Sequence, residues 1–464
     1  MSTQRKAAPQ RSIFEEIVNL DVRSLWEPWM AEADQLLEDE ELIEAVYEAQ
    51  GERHQHSATL GRKQTPAEVV LRLLVLKHVR NWSYEVLERE VTLNFGYREF
   101  ARIGLEKVPD GTVLARIAQA LGGEVIAKIH ARLVEMARER GVVKGRKLRV
   151  DTTVVETNIH YPTDSSLLGD AARVLTRTMK KIEAEAGKLP RRVRDRTRSV
   201  NKRMRAIANS SRYQGEAGVE KRKQEYRGLL RLSRQILNDS QRVLEEAASR
   251  RKPRVRTLRE QLAAMRERVG QVIRQTKARV FLGITTSRQK MVSVFEPHSE
   301  IIRKGKASKP TEFGKLVQLA EAENQIITHY DVFEERPSDR ALLTQAVEEQ
   351  RRRLGRAPQL VTADAGYYAH AHECALHQMG VKWVSVPNRN TRSVDRKQME
   401  KRRWFKKAQA WRTGCEGRIS VLKRRHGLRR SLYRGLEGIK RWVGLGVLAD
   451  NLINIGRVLS AARA

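Results

Sequence analysis

The side-chain pattern changes period twice along this chain, and that alternation limits what it can fold into. Leu148-Arg149-Val150-Asp151-Thr152-Thr153-Val154-Val155-Glu156 is rich in β-branched residues and reads as a strand. From about Asp170 to Val280 the composition shifts to Arg, Ala, Glu, Leu and Gln. Apolar positions such as Leu229, Leu232, Ile236 and Leu237 fall there at helical spacing. Strand signals resume at 290–295, 315–319 and 325–333, then at 359–363 and 381–386. Ser338-Asp339 can cap a helix running to about Arg353, and another helix is expected near 370–378. With the helical stretch set aside, the order predicts a compact α/β layer with mixed strand order.

Residues 1–146 read as mostly helical. Thr65-Pro66-Ala67-Glu68 opens a helix with Pro in its first turn, and Val69, Val70, Leu73, Leu74 and Leu76 continue it. Asn81-Trp82-Ser83 breaks that helix before a short amphipathic one from Tyr84 to Val91. In Pro109-Asp110-Gly111-Thr112, Asp110 or Thr112 can cap the next helix, from Val113 to Leu121. Short helices joined by tight turns suit a helix-turn-helix module, and a plain helical bundle fits the same pattern. The expected division is a helical region at 1–146, an α/β core at 147–164 and 281–464 with basic C-terminal helices, and a basic helical insertion at 165–280.

Charge narrows the partner. There are 90 Lys+Arg against 56 Asp+Glu, a formal charge of +34 and a pI of about 10.6. Residues 171–280 alone hold 32 Lys+Arg and 11 Asp+Glu, which is +21 of that total, and their only aromatics are Tyr213 and Tyr226. Such a balance points to a polyanion, and the insertion is expected either to contact DNA or to present a solvated basic face. No apolar stretch approaches the ~20 residues of a membrane span, the best being Trp442 to Leu448, so no membrane partner is expected. Met1-Ser-Thr-Gln-Arg-Lys lacks an apolar leader core, which argues against secretion. Two cysteines, Cys374 and Cys415, cannot build a disulfide framework or a four-thiolate zinc site and suit the reducing cytoplasm.

Three carboxylates carry the candidate chemistry. Asp151 and Asp364 lie in or at the end of strand-like runs, the latter followed by Ala365-Gly366-Tyr367-Tyr368, and Glu416 lies in a helical segment. Hard divalent cations about 3.5–4 Å apart prefer oxygen ligands and stabilise both the entering and leaving oxygens of a phosphodiester. Taken singly, each of these carboxylates has a structural alternative as a cap or loop residue. Glu156 and Asp164 are further candidate ligands, although the Pro-Thr-Asp-Ser turn suits Asp164 to capping. His160 and His426 can shuttle protons or serve structure. Trp82, Trp404 and Trp411 can stack on extruded bases or pack in a core. Lys401-Arg402-Arg403 and Lys423-Arg424-Arg425 flank the Glu416 helix and are read as phosphate contacts.

The words around these carboxylates resemble the bacterial insertion-sequence DDE transposases, whose catalytic core is ribonuclease-H-like. The resemblance spans nearly the whole chain. The segment from Asp151-Thr152-Thr153-Val154-Val155-Glu156-Thr157-Asn158 through Ile159-His160-Tyr161-Pro162-Thr163-Asp164-Ser165 looks like the first-aspartate segment, Pro310-Thr311-Glu312-Phe313-Gly314-Lys315 like the entry to the second strand, and Ala363-Asp364-Ala365-Gly366-Tyr367 like the second-aspartate word. The Thr65-Pro66 helix with Asn81-Trp82-Ser83-Tyr84-Glu85 resembles the family's DNA-binding region. Many members carry Y-x-x-R-x-x-x-E-x-x-x-x-x-x-K. Here Arg412, Glu416 and Lys423 occupy the last three places, and Gln409 replaces the tyrosine. On a continuous helix those three share one face.

The resemblance implies a ribonuclease-H-like mixed sheet with a catalytic, metal-binding triad of Asp151, Asp364 and Glu416. It implies Mg2+ as cofactor, with Mn2+ able to substitute, and DNA contacts from Arg412, Lys423, Arg418, Lys401, Arg402, Arg403, Arg424 and Arg425. The expected function is DNA transposition: binding the terminal inverted repeats of an element, cleaving, and joining 3′-hydroxyls to target DNA. Double-stranded DNA is the expected partner, with a homodimer or higher oligomer on it, in the bacterial cytoplasm near the nucleoid. The alternatives are a ribonuclease-H-like nuclease or resolvase that does not join ends, and a catalytically silent DNA-binding relative.

Overall fold

The computed structural model of the chain describes residues 5, 22–52, 64–187, 189–210, 212, 215–286, 290–303 and 310–463. Six strands occur among them: β1 (Lys147–Glu156), β2 (Glu300–Arg303), β3 (Thr311–Glu321), β4 (Ile327–Val332), β5 (Leu360–Thr362) and β6 (Trp383–Ser385). The chain divides into two compact units, one of residues 1–158 with 306–464 and one of residues 159–305.

The first unit opens with helices Pro28–Leu36, Glu40–Gly51, Ala67–Arg80, Tyr84–Leu93, Phe95–Phe100, Gly111–Ala120 and Gly123–Glu139. Short polar side chains set their starts. Asp39, Ser83, Asn94 and Asp110 accept hydrogen bonds from the backbone N–H of Leu42, Val86, Tyr97 and Thr112. Asn81, left-handed at φ 53°, ends the Ala67–Arg80 helix where the sequence placed a break. Asp110 is the cap of the following helix, which starts at Gly111.

These helices share an apolar core with the last helix, Gly435–Arg463, through Leu445, Leu448, Leu452 and Ile455. That helix is buried along most of its length. Among the described residues it is also the one helix long and apolar enough, by length and composition, to cross a membrane, which corrects the expectation that no such stretch exists. Its most apolar window is 72% buried inside the protein, so it serves here as a core helix. Asn451 binds it to the sheet like a missing strand: its amide accepts from Ile327 N–H and donates to Ile327 C=O, both at 2.9 Å.

The sheet of this unit is mixed. β1 pairs antiparallel with β3, from Arg149 opposite Glu321 to Glu156 opposite Gly314. β3 pairs antiparallel with β4. On the other side β1 runs parallel to β5, and β5 runs parallel to β6. Leu148, Val150, Val361 and Val384 face a core completed by helices Asp339–Leu354 and His370–Gln378. Val155, Val317 and Leu319 face Leu422 and the last helix.

The second unit contains helices Asp164–Ala186, Thr197–Ser210, Gly215–Glu246 and Pro253–Leu282. They pack around Leu168, Leu175, Met179, Leu229, Ile236, Leu262 and Val269. Thr163 and Ser166 form a capping box at the first helix, so Asp164 is its first residue and not its cap. The strand expected at 290–295 is absent, and the extended element is β2, ten residues later. Met291 and Val294 are drawn into the helical core. Gln275 takes the place of a strand partner for Met291, accepting from its N–H at 3.0 Å and donating to its C=O at 2.9 Å.

Candidate active site

Two carboxylates are aligned by strand register. The parallel pairing that sets Lys147 opposite Leu360 and Arg149 opposite Thr362 also matches Asp151 with Asp364, just past the paired residues. Both are half-buried. The Asp151 carboxylate accepts from Thr152 N–H at 2.7 Å, and that of Asp364 from Ala365 N–H at 2.6 Å, where Asp364 caps the short turn Ala365–Tyr367. Each therefore has one oxygen already fixed, Asp151 in the middle of β1 and not at a strand end, and Asp364 two residues past the end of β5. Arg389 Nη2 stands 3.9 Å from Asp364.

The helix Arg403–Arg425 carries Glu416 and packs against β1, β5 and β6. Two anchors hold it there. Gln409, in the place of the family's tyrosine, donates from Nε2 to Ser385 C=O at 2.6 Å, with Thr362 and Ser385 hydroxyls at 3.0 Å. This amide pins the helix to the ends of β5 and β6, two residues before Asp364. Arg149, on the same face of β1 as Asp151, forms the second anchor. It pairs with Glu321 across the strands, Nε to Oε2 at 2.9 Å, donates to Trp411 C=O at 2.5 Å, and lies 4.9 Å from the Trp411 ring centre. Burial pushes the Glu321 carboxyl up and Arg149 pulls it back. Gly414 makes this approach possible, since a Cβ there would collide with the Arg149 guanidinium, 3.2 Å from its Cζ. Gly417 meets nothing within 4 Å.

Arg412 bridges two members of the expected triad. Its Nη1 is 3.8 Å from Asp151 Oδ2 and its Nη2 is 3.5 Å from Glu416 Oε1. Glu416 itself is turned outward, its side chain 63% exposed. Lys423 is half-buried seven residues further along, and Lys401, Arg402, Arg403, Arg424 and Arg425 are exposed at the two ends of the helix. Three carboxylates are the right donors for a hard divalent cation. As they stand, no group of three His, Cys, Asp or Glu side chains among the described residues is close enough to hold one. Arg412 stands between Asp151 and Glu416.

Several expected roles are corrected by burial. Arg418 is no DNA contact: it is buried, with Nη1 2.6 Å from Asp450 of the last helix. His426 is buried too, its Nδ1 3.1 Å from His78 C=O, and burial lowers its pKa to about 4, so it stays neutral. Glu156 is buried and stands 3.3 Å from Arg430, while Asp164 is buried and 3.0 Å from Arg279 in the second unit. His160 lies 3.4 Å from Asp170. Trp82 packs on Tyr97 and Trp404 on Trp383 and Phe405. Arg149, Glu321 and Arg389 escaped the sequence reading. For Arg149 a signal was present, a charge inside an apolar strand two residues before Asp151.

Comparison with known families covers both ends of the first unit. A Transposase DDE domain matches residues 289–452, a range that holds Asp364 and Glu416 but not Asp151. A Transposase domain (DUF772) matches residues 29–120, the N-terminal helices. No curated protein and no solved structure matches the chain. Two transposase domains in series, with a mixed sheet in the region of the DDE match, establish that the chain belongs to the insertion-sequence DDE transposases.

Proposed function

We propose that the chain binds the terminal inverted repeats of its own element, cleaves there in the presence of Mg2+, and transfers the freed 3′-hydroxyls to target DNA. The observation that carries this reading is the shared register of Asp151 and Asp364 under a helix that bears Glu416. The order β4-β3-β1-β5-β6, antiparallel on one side of β1 and parallel on the other, supports a ribonuclease-H-like core. Asp151, Asp364 and Glu416 are the residues that would hold divalent cations, Mg2+ or Mn2+. Bound there, such cations supply Lewis-acid activation of the nucleophile and charge neutralisation at the leaving oxygen. Gln409 and Arg149 keep the Glu416 helix seated on the strand ends, so that the carboxylates keep their spacing through both reaction steps. Arg412 and Lys423, on the same helix face, serve as phosphate ligands, and the exposed lysines and arginines at the helix ends extend that basic track along the DNA backbone. Pairing two element ends requires at least two copies of the chain on DNA.

Purified protein, a labelled element end, a target duplex and Mg2+ provide the test. Nicked 3′ ends followed by joined products support the reading. Cleavage without joining would replace it with a nuclease, and salt-sensitive binding with no metal-dependent cleavage would replace it with a silent DNA-binding relative.

A further inference from the structure

The second unit, residues 159–305, holds 36 Lys+Arg and 15 Asp+Glu, so that less than a third of the chain carries +21 of the +34 charge. Its cations fall into two groups. One group is paired inside the unit: Lys180 with Asp195 at 2.6 Å, Arg203 with Glu225 at 2.8 Å, and Arg196 with Asp239. The other is exposed, with no ion-pair partner among the described residues, and includes Arg191, Arg192 and Arg194 in the approach to helix Thr197–Ser210, then Arg198, Lys202 and Arg205 along it. The last three follow i, i+4, i+7 spacing and so form one stripe, spanning about 10 Å at 1.5 Å per residue. On the same helix Arg203 points to Glu225, and Val200 and Ile207 are buried. The helix thus has one apolar edge, one neutralised edge and one uncompensated basic edge.

Uncompensated like charges repel one another and weaken a compact state, and a polyanion is the partner that relieves this. The aromatic content decides which polyanion. Base stacking on aromatic rings is how extruded or single-stranded bases are gripped, and residues 191–210, which carry the stripe and its approach, contain no Phe, Tyr or Trp. Only the phosphate backbone is left as ligand. We infer that the stripe Arg198–Lys202–Arg205, with the arginines that precede it, is a sequence-independent grip on duplex DNA, separate from recognition of the element ends. It rests on the transposase reading for its partner and extends it to flanking or target DNA.

The experiment uses the full chain with Arg198→Gln, Lys202→Gln and Arg205→Gln combined, and a second variant with Arg191, Arg192 and Arg194 changed to Gln. Far-UV circular dichroism and thermal midpoints like those of the wild type confirm folding. Fluorescence anisotropy then follows binding to a labelled duplex of unrelated sequence across a salt series. Each lost phosphate contact flattens the slope of log K against log salt by about 0.9, so the first variant should lose about 2.7 of slope and at least tenfold in affinity at about 0.15 M salt. Unchanged slope and affinity in both variants overturn the inference, as does a loss confined to single-stranded RNA or to duplexes carrying the element end. Nicking of an element end in low salt is scored on the same preparations. Its absence in the wild type would count against the transposase mechanism, whereas the anisotropy slope speaks to the grip alone.

Discussion

Arg412 holds one carboxylate with each arm of its guanidinium, and that single side chain governs how the site can be occupied. A cation between Asp151 and Glu416 competes with any divalent ion for them. At 4 Å, one unit charge against another is worth about 1–4 kcal/mol between bulk water and a protein surface. Arg412→Gln should therefore tighten Mn2+ binding to the metal-free protein several-fold, read by electron paramagnetic resonance of free Mn2+, while slowing DNA cleavage through the lost phosphate ligand. Weaker or unchanged Mn2+ binding would show that the arginine organises the carboxylates instead of blocking them. The face shared by Arg412, Glu416 and Lys423 was legible from spacing, because helical periodicity is a local property. What lies opposite that face was not. Gln409 looked like a missing tyrosine, and only the packing shows its amide on Ser385 and Thr362.

At the scale of elements, the Glu416 helix is fixed by what it crosses. One turn after Gly414 it reaches the last helix, where Arg418 meets Asp450. Both groups are buried, and Asp450 also accepts from Asn454 Nδ2 at 3.1 Å. Asp450→Ala leaves a buried guanidinium without its counter-ion, a change that typically costs about 3–5 kcal/mol. Chemical denaturation should show a loss of that order, and a change below about 1 kcal/mol would mean that Gln325, whose Oε1 accepts from Arg418 Nη2, and water compensate. The sequence placed Arg418 on a basic helix beside other phosphate candidates, and composition alone could not separate it from them. Its burial follows from a second helix 32 residues away. The strand assignment at 290–295 failed for a related reason: a six-residue segment with four apolar side chains fits a strand or a core plug, and the Gln275 contacts decide.

At the scale of the whole molecule, several histidines are buried uncharged. Burial is the main cause that lowers the pKa of His130 to about 3 and those of His329 and His426 to about 4. Because the folded values lie below the unfolded value of about 6.5, the unfolded chain takes up these protons first. Stability from these three groups is fully present above about pH 6.5 and is lost as pH falls toward 4. Asp450, pushed up to about 6 by burial, acts in the opposite sense with a single proton. The thermal midpoint should accordingly drop between about pH 6.5 and 4.5, and a flat profile over that range would contradict the neutral burial of the histidines. The mixed sheet, its two aspartates and the long helical stretch were legible because strand and helix periods differ locally. That the N-terminal helices and the last helix build one core was not legible, since it depends on contacts more than 300 residues apart.

Asp151 and Asp364 are proposed to act with Glu416 as one metal-dependent cleavage centre. The most direct measurement is the Mg2+-dependent cleavage rate of a labelled element end by the wild type and by Asp364→Asn, with anisotropy showing equal DNA binding. Since outer-shell changes at metal sites already cost 10–100-fold, loss of the carboxylate itself should lower the rate at least about a hundredfold with binding intact. Cleavage by Asp364→Asn at the wild-type rate would remove Asp364 from the cleavage centre.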